Sequence, residues 1–164
     1  MENNLKFGGI YRITHCNSNG DVISVDEVKN IVPNQGLQFF NNVIFGGQSS
    51  SSFYIGLYAN NYTPVASDTM SSFVTSASEI VGYNEVTRPA YTAVVNTVNV
   101  SNTASKATFN VNLTATARGA FLSTSSIKNG TAGSLISASL FSSPKSLTAG
   151  DTLTVEYIFT GSST

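Results

Sequence analysis

FYIGLY at residues 53–58, a polar stretch carrying DTM at 68–70, and EIVGYNEVTRPAY at 79–91 together decide how this chain folds. In FYIGLY, aromatic and branched side chains follow one another closely, and such side chains pack well on a pleated surface. It reads as the clearest strand in the sequence. The closing piece crowds Tyr83, Arg88, Pro89 and Tyr91 into a span that is half polar and half aromatic. That mixture suits a shaped sheet end or a contact better than a plain turn.

Composition extends the strand reading outward. Of 164 residues, 41% are hydrophobic and only 10% are charged, against about 25% charged in an ordinary globular domain. The polar surface therefore comes from 24 Ser and 18 Thr, with Asn beside them. Thr suits strands, Ser and Asn suit turns, and the Glu and Lys that surface helices draw on are scarce. The expected class is all-β: a jelly-roll or antiparallel β-sandwich of about eight strands with one short helix. The length predicts a single domain, 1–164, with a real core. An N-terminal hairpin is expected at about 8–32, and a short polar tail at 161–164.

Within the hairpin, GGIYRITHC alternates, with Ile10 or Tyr11, Ile13 and Cys16 competing for the inner face. NSNG at 17–20 supplies the turn. In the return strand Val22, Ser24 and Asp26 face one way and Ile23, Val25 and Glu27 the other. Pro33 ends the β pattern, and Asn34 is placed to cap a helix whose apolar stripe is Leu37, Phe40 and Ile44, widened by Phe39 and Val43. Residues 60–78 read as a long irregular stretch with one turn capped by Asp68. Further strands are expected at 91–100, at 106–117 with Phe109, Val111 and Leu113 on one face, after a bend at Arg118 and Gly119, at 134–141, and at 151–159.

Several function classes are argued against by residue type. Eight basic and nine acidic residues, a net charge of −1, create no field that would gather nucleic acid or anionic lipid. The start MENNLKF lacks a signal-peptide core, and no run approaches a membrane span, so synthesis without export is expected. Cys16 is the sole cysteine and His15 the sole histidine. On a strand these neighbours point to opposite faces, so no metal or catalytic dyad is expected there. No phosphate-loop motif is present. The carboxylates Asp26, Glu27, Asp68, Glu79, Glu85, Asp151 and Glu156 are read as surface groups rather than a hydrolytic pair. No enzyme activity and no cofactor are expected. Tyr54, Tyr58, Tyr62, Tyr83 and Tyr91 offer rings for a carbohydrate, but Trp is absent, and core or subunit contact is the favoured reading. Arg88 has Glu85 or Glu79 as an internal partner, or a neighbouring subunit.

The order of NQGLQFFNNVIFGG at 34–47, FYIGLY, DTMSSF at 68–73, EIVGYNEVTRPAY, KATFNVN at 106–112, GAFLSTSSIKNGTAGSLISASLF at 119–141 and AGDTLTVEYIF at 149–159 resembles a group of small structural proteins of tailed bacteriophages. The resemblance spans residues 34–159. It implies a virion component made in the host cytoplasm, with a capsid decoration or cement role on the capsid exterior favoured. The implied partners are the major capsid protein and further copies of the chain, as a dimer or trimer. A tail or tail-fibre module that binds a receptor or carbohydrate is the alternative. The implied contact positions are Tyr83, Glu85, Arg88, Pro89 and Tyr91, with Tyr58 beside them.

Overall fold

The computed structural model describes residues 5–163. The first four residues of the chain and the last residue of its expected tail lie outside that range. In chain order the elements are β1 (Leu5–Cys16), β2 (Val22–Lys29), α1 (Asn34–Ile44), β3 (Tyr54–Tyr58), α2 (Met70–Ala77), β4 (Glu79–Ile80), β5 (Val94–Asn96), β6 (Asn99–Ser101), β7 (Ala107–Asn110), β8 (Ala115–Ser123), β9 (Leu135–Leu147) and β10 (Thr152–Ser163). They form two antiparallel sheets. One has the order β2-β1-β10-β6-β5, with β7 also pairing β10; the other has the order β4-β3-β8-β9.

Alternation on the strands builds one core from both sheets. Tyr11, Ile13, Phe109, Leu153, Val155 and Tyr157 of the larger sheet meet Ile55, Leu57, Ala120, Leu122 and Ile136 of the smaller. Tyr11 stacks on Tyr157 with ring centroids 4.5 Å apart, and its hydroxyl is 2.6 Å from Ser137 Oγ on β9. That polar tie crosses the core. A second set of contacts joins the edges β2 and β9. Ile31 and Ala138 exchange backbone hydrogen bonds of 3.0 and 3.1 Å, Ser139 Oγ donates to Lys29 O at 2.7 Å, and Lys145 Nζ lies 3.3 Å from Asp26 Oδ2. An inward-pointing acid on an edge strand is a known guard against stray pairing.

The smaller sheet is buried on both faces. Gly56 lies across from Phe121 and Gly119 across from Tyr58 in the β3–β8 register. A Cβ at Gly119 would stand 2.1 Å from the Tyr58 ring, and one at Gly56 would stand 2.2 Å from the Phe121 ring. The two rings therefore lie flat over glycines. They present an apolar floor that α2 covers with Met70, Phe73, Val74 and Ala77.

This second helix corrects the expectation of one helix and of an irregular 60–78. Thr69, not Asp68, caps it, through a reciprocal Thr69–Ser72 capping box; Asp68 instead accepts from Val65 N at 2.8 Å and Tyr62 Oη at 2.7 Å. For α1 the capping position is Pro33, with no side-chain cap, so Asn34 is the first helical residue. The inward face of α1 centres on Gly36 and Phe39, with Phe40 and Val43 half-buried. Leu37 and Ile44 are exposed. Gly36 sets that rotation, because a Cβ there would meet Ile136 O at 2.5 Å.

Other boundaries also move. Residues 91–100 hold no single strand but the small β5–β6 hairpin, turning at Thr97, whose φ is 56°. The stretch 106–117 divides between sheets: β7 pairs β10, β8 pairs β3 and β9, and Leu113 in the corner between them is exposed. Arg118 and Gly119 do not end a strand. Opposite Arg118, β9 bulges by residues 141–144, and that bulge lets β9 run through Pro144 without a missing ladder donor. In β1 the inner face is Tyr11, Ile13 and His15, with Cys16 outside it. In β2 the inner side chains are Ser24, Asp26 and Val28, while Val22, Ile23 and Val25 face out. The expected polar tail is part of β10 as far as Ser163: Gly161, Ser162 and Ser163 pair with Phe7, Lys6 and Leu5.

Candidate functional site

Segment 79–91 folds inward as a clasp. Arg88 is fully buried and uses all five of its N–H donors. Nε and Nη2 donate to Glu79 Oε1 and Oε2, both at 2.7 Å. Nη1 donates to Ser123 Oγ at 3.3 Å and Ser125 O at 2.9 Å, and Nη2 also donates to Gly130 O at 3.1 Å. Asn129 N donates to Glu79 Oε2 at 2.7 Å. The guanidinium carbon lies 5.1 Å from the Phe121 ring centroid. Glu79, rather than Glu85, is thus the partner of Arg88, and the pair locks the loop after β8 onto β4.

The neighbouring residues are also internal. Tyr83 meets Phe109 edge-on with centroids 5.0 Å apart. Lys128 Nζ lies 3.7 Å from the centre of its ring and donates to Tyr83 O at 2.9 Å; desolvation holds this ammonium below the usual lysine range. Tyr91 Oη donates to Val100 O at 2.9 Å and Tyr157 O at 3.2 Å. Tyr58 Oη donates to Tyr62 O at 3.1 Å. Burial pushes the hydroxyls of Tyr58, Tyr83 and Tyr91 up from the ordinary tyrosine value. Glu85 accepts from Asn110 Nδ2 at 2.6 Å and Asn110 N at 3.1 Å. Pro89 O accepts from Ile55 N at 2.9 Å. Of the six expected contact residues only Glu85 and Pro89 keep partial exposure, and Tyr58, Tyr83, Arg88 and Tyr91 are buried. The five tyrosines considered for a sugar site do not converge, since Tyr58 belongs to the α2 side of the small sheet while Tyr83 and Tyr91 belong to the main core.

The carboxylates are occupied by structure and are less exposed than the sequence suggested. Asp151 Oδ2 lies 2.9 Å from His15 Nε2 and accepts from Thr148 N at 2.9 Å and Thr148 Oγ1 at 3.1 Å. Burial opposes the charge on Asp151, but the bonds from Thr148 and His15 outweigh it and hold the carboxyl below its usual range. Asp26 is similarly held low: burial is outweighed by hydrogen bonds from Ser142 and the charge of Lys145. Glu156 is 3.4 Å from Arg12 and 3.6 Å from Lys106. Among the described residues no group of three or more His, Cys, Asp or Glu is placed to hold a metal ion.

Two parts of the surface are apolar and uncharged. The β5–β6 hairpin stands off the body, with every residue from 92 to 99 exposed, among them Val94, Val95 at 73% and Val98. No charged residue lies between Arg88 and Lys106, and none lies between Lys29 and Asp68. Between α1 and β6 the two sheets part over an apolar cleft of about 160 Å³. Its rim is Phe40, Phe53, Val100 and Phe159, all partly exposed, and its floor is Tyr91, Leu122, Ile136 and Tyr157. Phe45, at the end of α1, is 84% exposed. The sequence placed Phe40 in a helix stripe, Phe53 in FYIGLY and residues 94–100 in a strand without showing their exposure or the cleft; the missing charges over 30–67 and 89–105 run through these groups.

No family model, curated protein or solved structure matches this chain.

Proposed function

We propose that this protein is a non-enzymatic structural component of a tailed-phage virion, a decoration or cement protein that binds across subunits of the major capsid protein. The observation that carries this reading is the β5–β6 hairpin: an uncharged element that projects from the larger sheet, exposes valines on both faces and has an unpaired outer edge among the described residues. An open strand edge can add to a sheet of another protein, with main-chain hydrogen bonds supplying affinity and apolar side chains supplying fit. Because no charge lies on this element, docking desolvates none, and burying a charge is the costly part of many contacts. Repetition over a shell multiplies a modest contact. The two sheets sharing one core are read as an antiparallel β-sandwich of the jelly-roll kind, a shape suited to a rigid clamp.

This reading moves the contact from segment 79–91, whose large side chains serve the interior, to the hairpin. It also favours capsid over carbohydrate, because Tyr58, Tyr83 and Tyr91, three of the rings considered for a sugar, are buried and lie in separate clusters. The test is add-back of the purified protein to parent particles lacking it, read by co-sedimentation and by image reconstruction. Wild type is expected to bind intact shells and to lie across subunit junctions, while Val95→Asp is expected to weaken binding at least tenfold with an unchanged melting temperature. Density confined to the tail, or full binding by Val95→Asp, rejects the reading.

A further inference from the structure

The cleft and the end of α1 carry an inference that rests on nothing in the shell-binding reading. Phe45 donates its backbone N–H to Asn41 O at 2.9 Å, so its main chain is held while its ring is left in water. An apolar cavity of about 150 Å³ stays dry and takes a benzene ring. The cleft, about 160 Å³ and lined by apolar side-chain surface, has the capacity for one phenyl group. Phe45 lies five residues beyond Phe40 of the rim, which at 3.6 residues per turn places it roughly 140° away around the helix axis. Its ring faces away from its own chain's cleft, so within one chain the two do not meet.

Charge favours a like partner. The helix, Phe45 and the rim residues Phe40 and Phe53 fall in the stretch free of charge between Lys29 and Asp68, and Val100 falls in the stretch between Arg88 and Lys106. Neither Phe45 nor the rim residues Phe40, Phe53, Val100 and Phe159 carries a charge, so ring and cleft desolvate none of their own on meeting. Ile44 and Leu37, also exposed on α1, supply apolar area around the ring. We propose that Phe45 of one copy inserts into the cleft of a second copy of this chain, making the end of α1 and the cleft a self-association surface. Each copy carries both ring and cleft, so the contact is either reciprocal about a two-fold axis or repeats head to tail, in a closed ring or an open filament.

The test is the mass of the purified protein by sedimentation equilibrium over a wide concentration range, for wild type, Phe45→Ala and Val100→Trp, each first shown to be folded by its melting curve. Wild type is expected above monomer mass, with association weakened at least tenfold in Phe45→Ala, whose side chain is in solvent in the single chain, and in Val100→Trp, which crowds the cleft mouth. Photo-crosslinking from a benzoylphenylalanine at position 45 should label peptides containing Leu122 or Ile136 of another copy. A wild-type protein that stays monomeric, a Phe45→Ala variant that associates as wild type does, or a crosslink mapped elsewhere each overturns the proposal. Shell binding by the hairpin is read separately, so a monomer that still binds shells removes this inference alone.

Discussion

At the scale of the residue, the most consequential group is Arg88. A buried ion pair is weak evidence of net stability, but removing one partner strands the other charge in the interior. Arg88→Met leaves Glu79 with Asn129 N as its remaining hydrogen-bond donor and is expected to cost about 3–5 kcal/mol, read as a fall in the urea midpoint. Converting both residues together, Arg88→Met with Glu79→Leu, should recover a large part of that loss. An equal loss in the double variant contradicts the account. Asp151 makes a second prediction, in pH. Because its folded carboxyl gives up its proton more readily than the ordinary carboxylate at 3.8, the stability it adds is complete above that value and is lost as pH falls through the lower folded value. The stability gap between wild type and Asp151→Asn should therefore be full near neutrality and narrow below about pH 4, as measured by denaturation at a series of pH values.

At the scale of the element, α1 shows how packing selects among apolar residues that look alike in sequence. Leu37, Phe39, Phe40, Val43 and Ile44 all fit a helical stripe, and the close approach of Gly36 to Ile136 decides which of them turns inward. Phe39→Ala should cost about 3–5 kcal/mol, because it empties a packed site between Phe40 and Phe53. Leu37→Ala, at an exposed position, should stay within about 0.5 kcal/mol. Thermal melting of the two variants decides this, and a larger loss at Leu37 contradicts the assigned rotation. α2 follows a similar logic: two glycines on β3 and β8 let Tyr58 and Phe121 lie flat, and the floor they make needs a cover.

At the scale of the whole molecule, the two ends of the described chain lie side by side in one sheet. β1 pairs along its length with β10, and β10 also pairs β6 and β7. The larger sheet is thus completed only when the last strand arrives. With Tyr11–Ser137 and the β2–β9 contacts joining the sheets, unfolding is expected as one cooperative transition. Equal calorimetric and van't Hoff enthalpies test this, and two separated transitions assigned to the two sheets contradict it. Pairing across so long a sequence separation also predicts refolding on the scale of milliseconds to seconds.

Local chemistry in the sequence determined what depends on neighbours along the chain. Alternation at Leu153, Val155 and Tyr157 made a strand, Asn-Gly made a turn, and low charge with abundant Ser and Thr made the class β. The absence of charge over 30–67 and 89–105 also accompanies the exposed Phe45 and the valines of the β5–β6 hairpin. Tertiary structure alone decided the rest. The alternation over 106–117 has no marker for the point where the chain leaves one sheet for the other, because both halves satisfy the same period of two. The sequence leaves Arg88 with Glu79, Glu85 or a neighbouring subunit as partner, until Glu79, Ser123, Ser125 and Gly130 are brought around it from three places in the chain. The cleft likewise has no local signature, since its walls come from α1, β6, β8, β9 and β10. Burial and shape are properties of residues distant in sequence, and they exist only once the sheets have closed on each other.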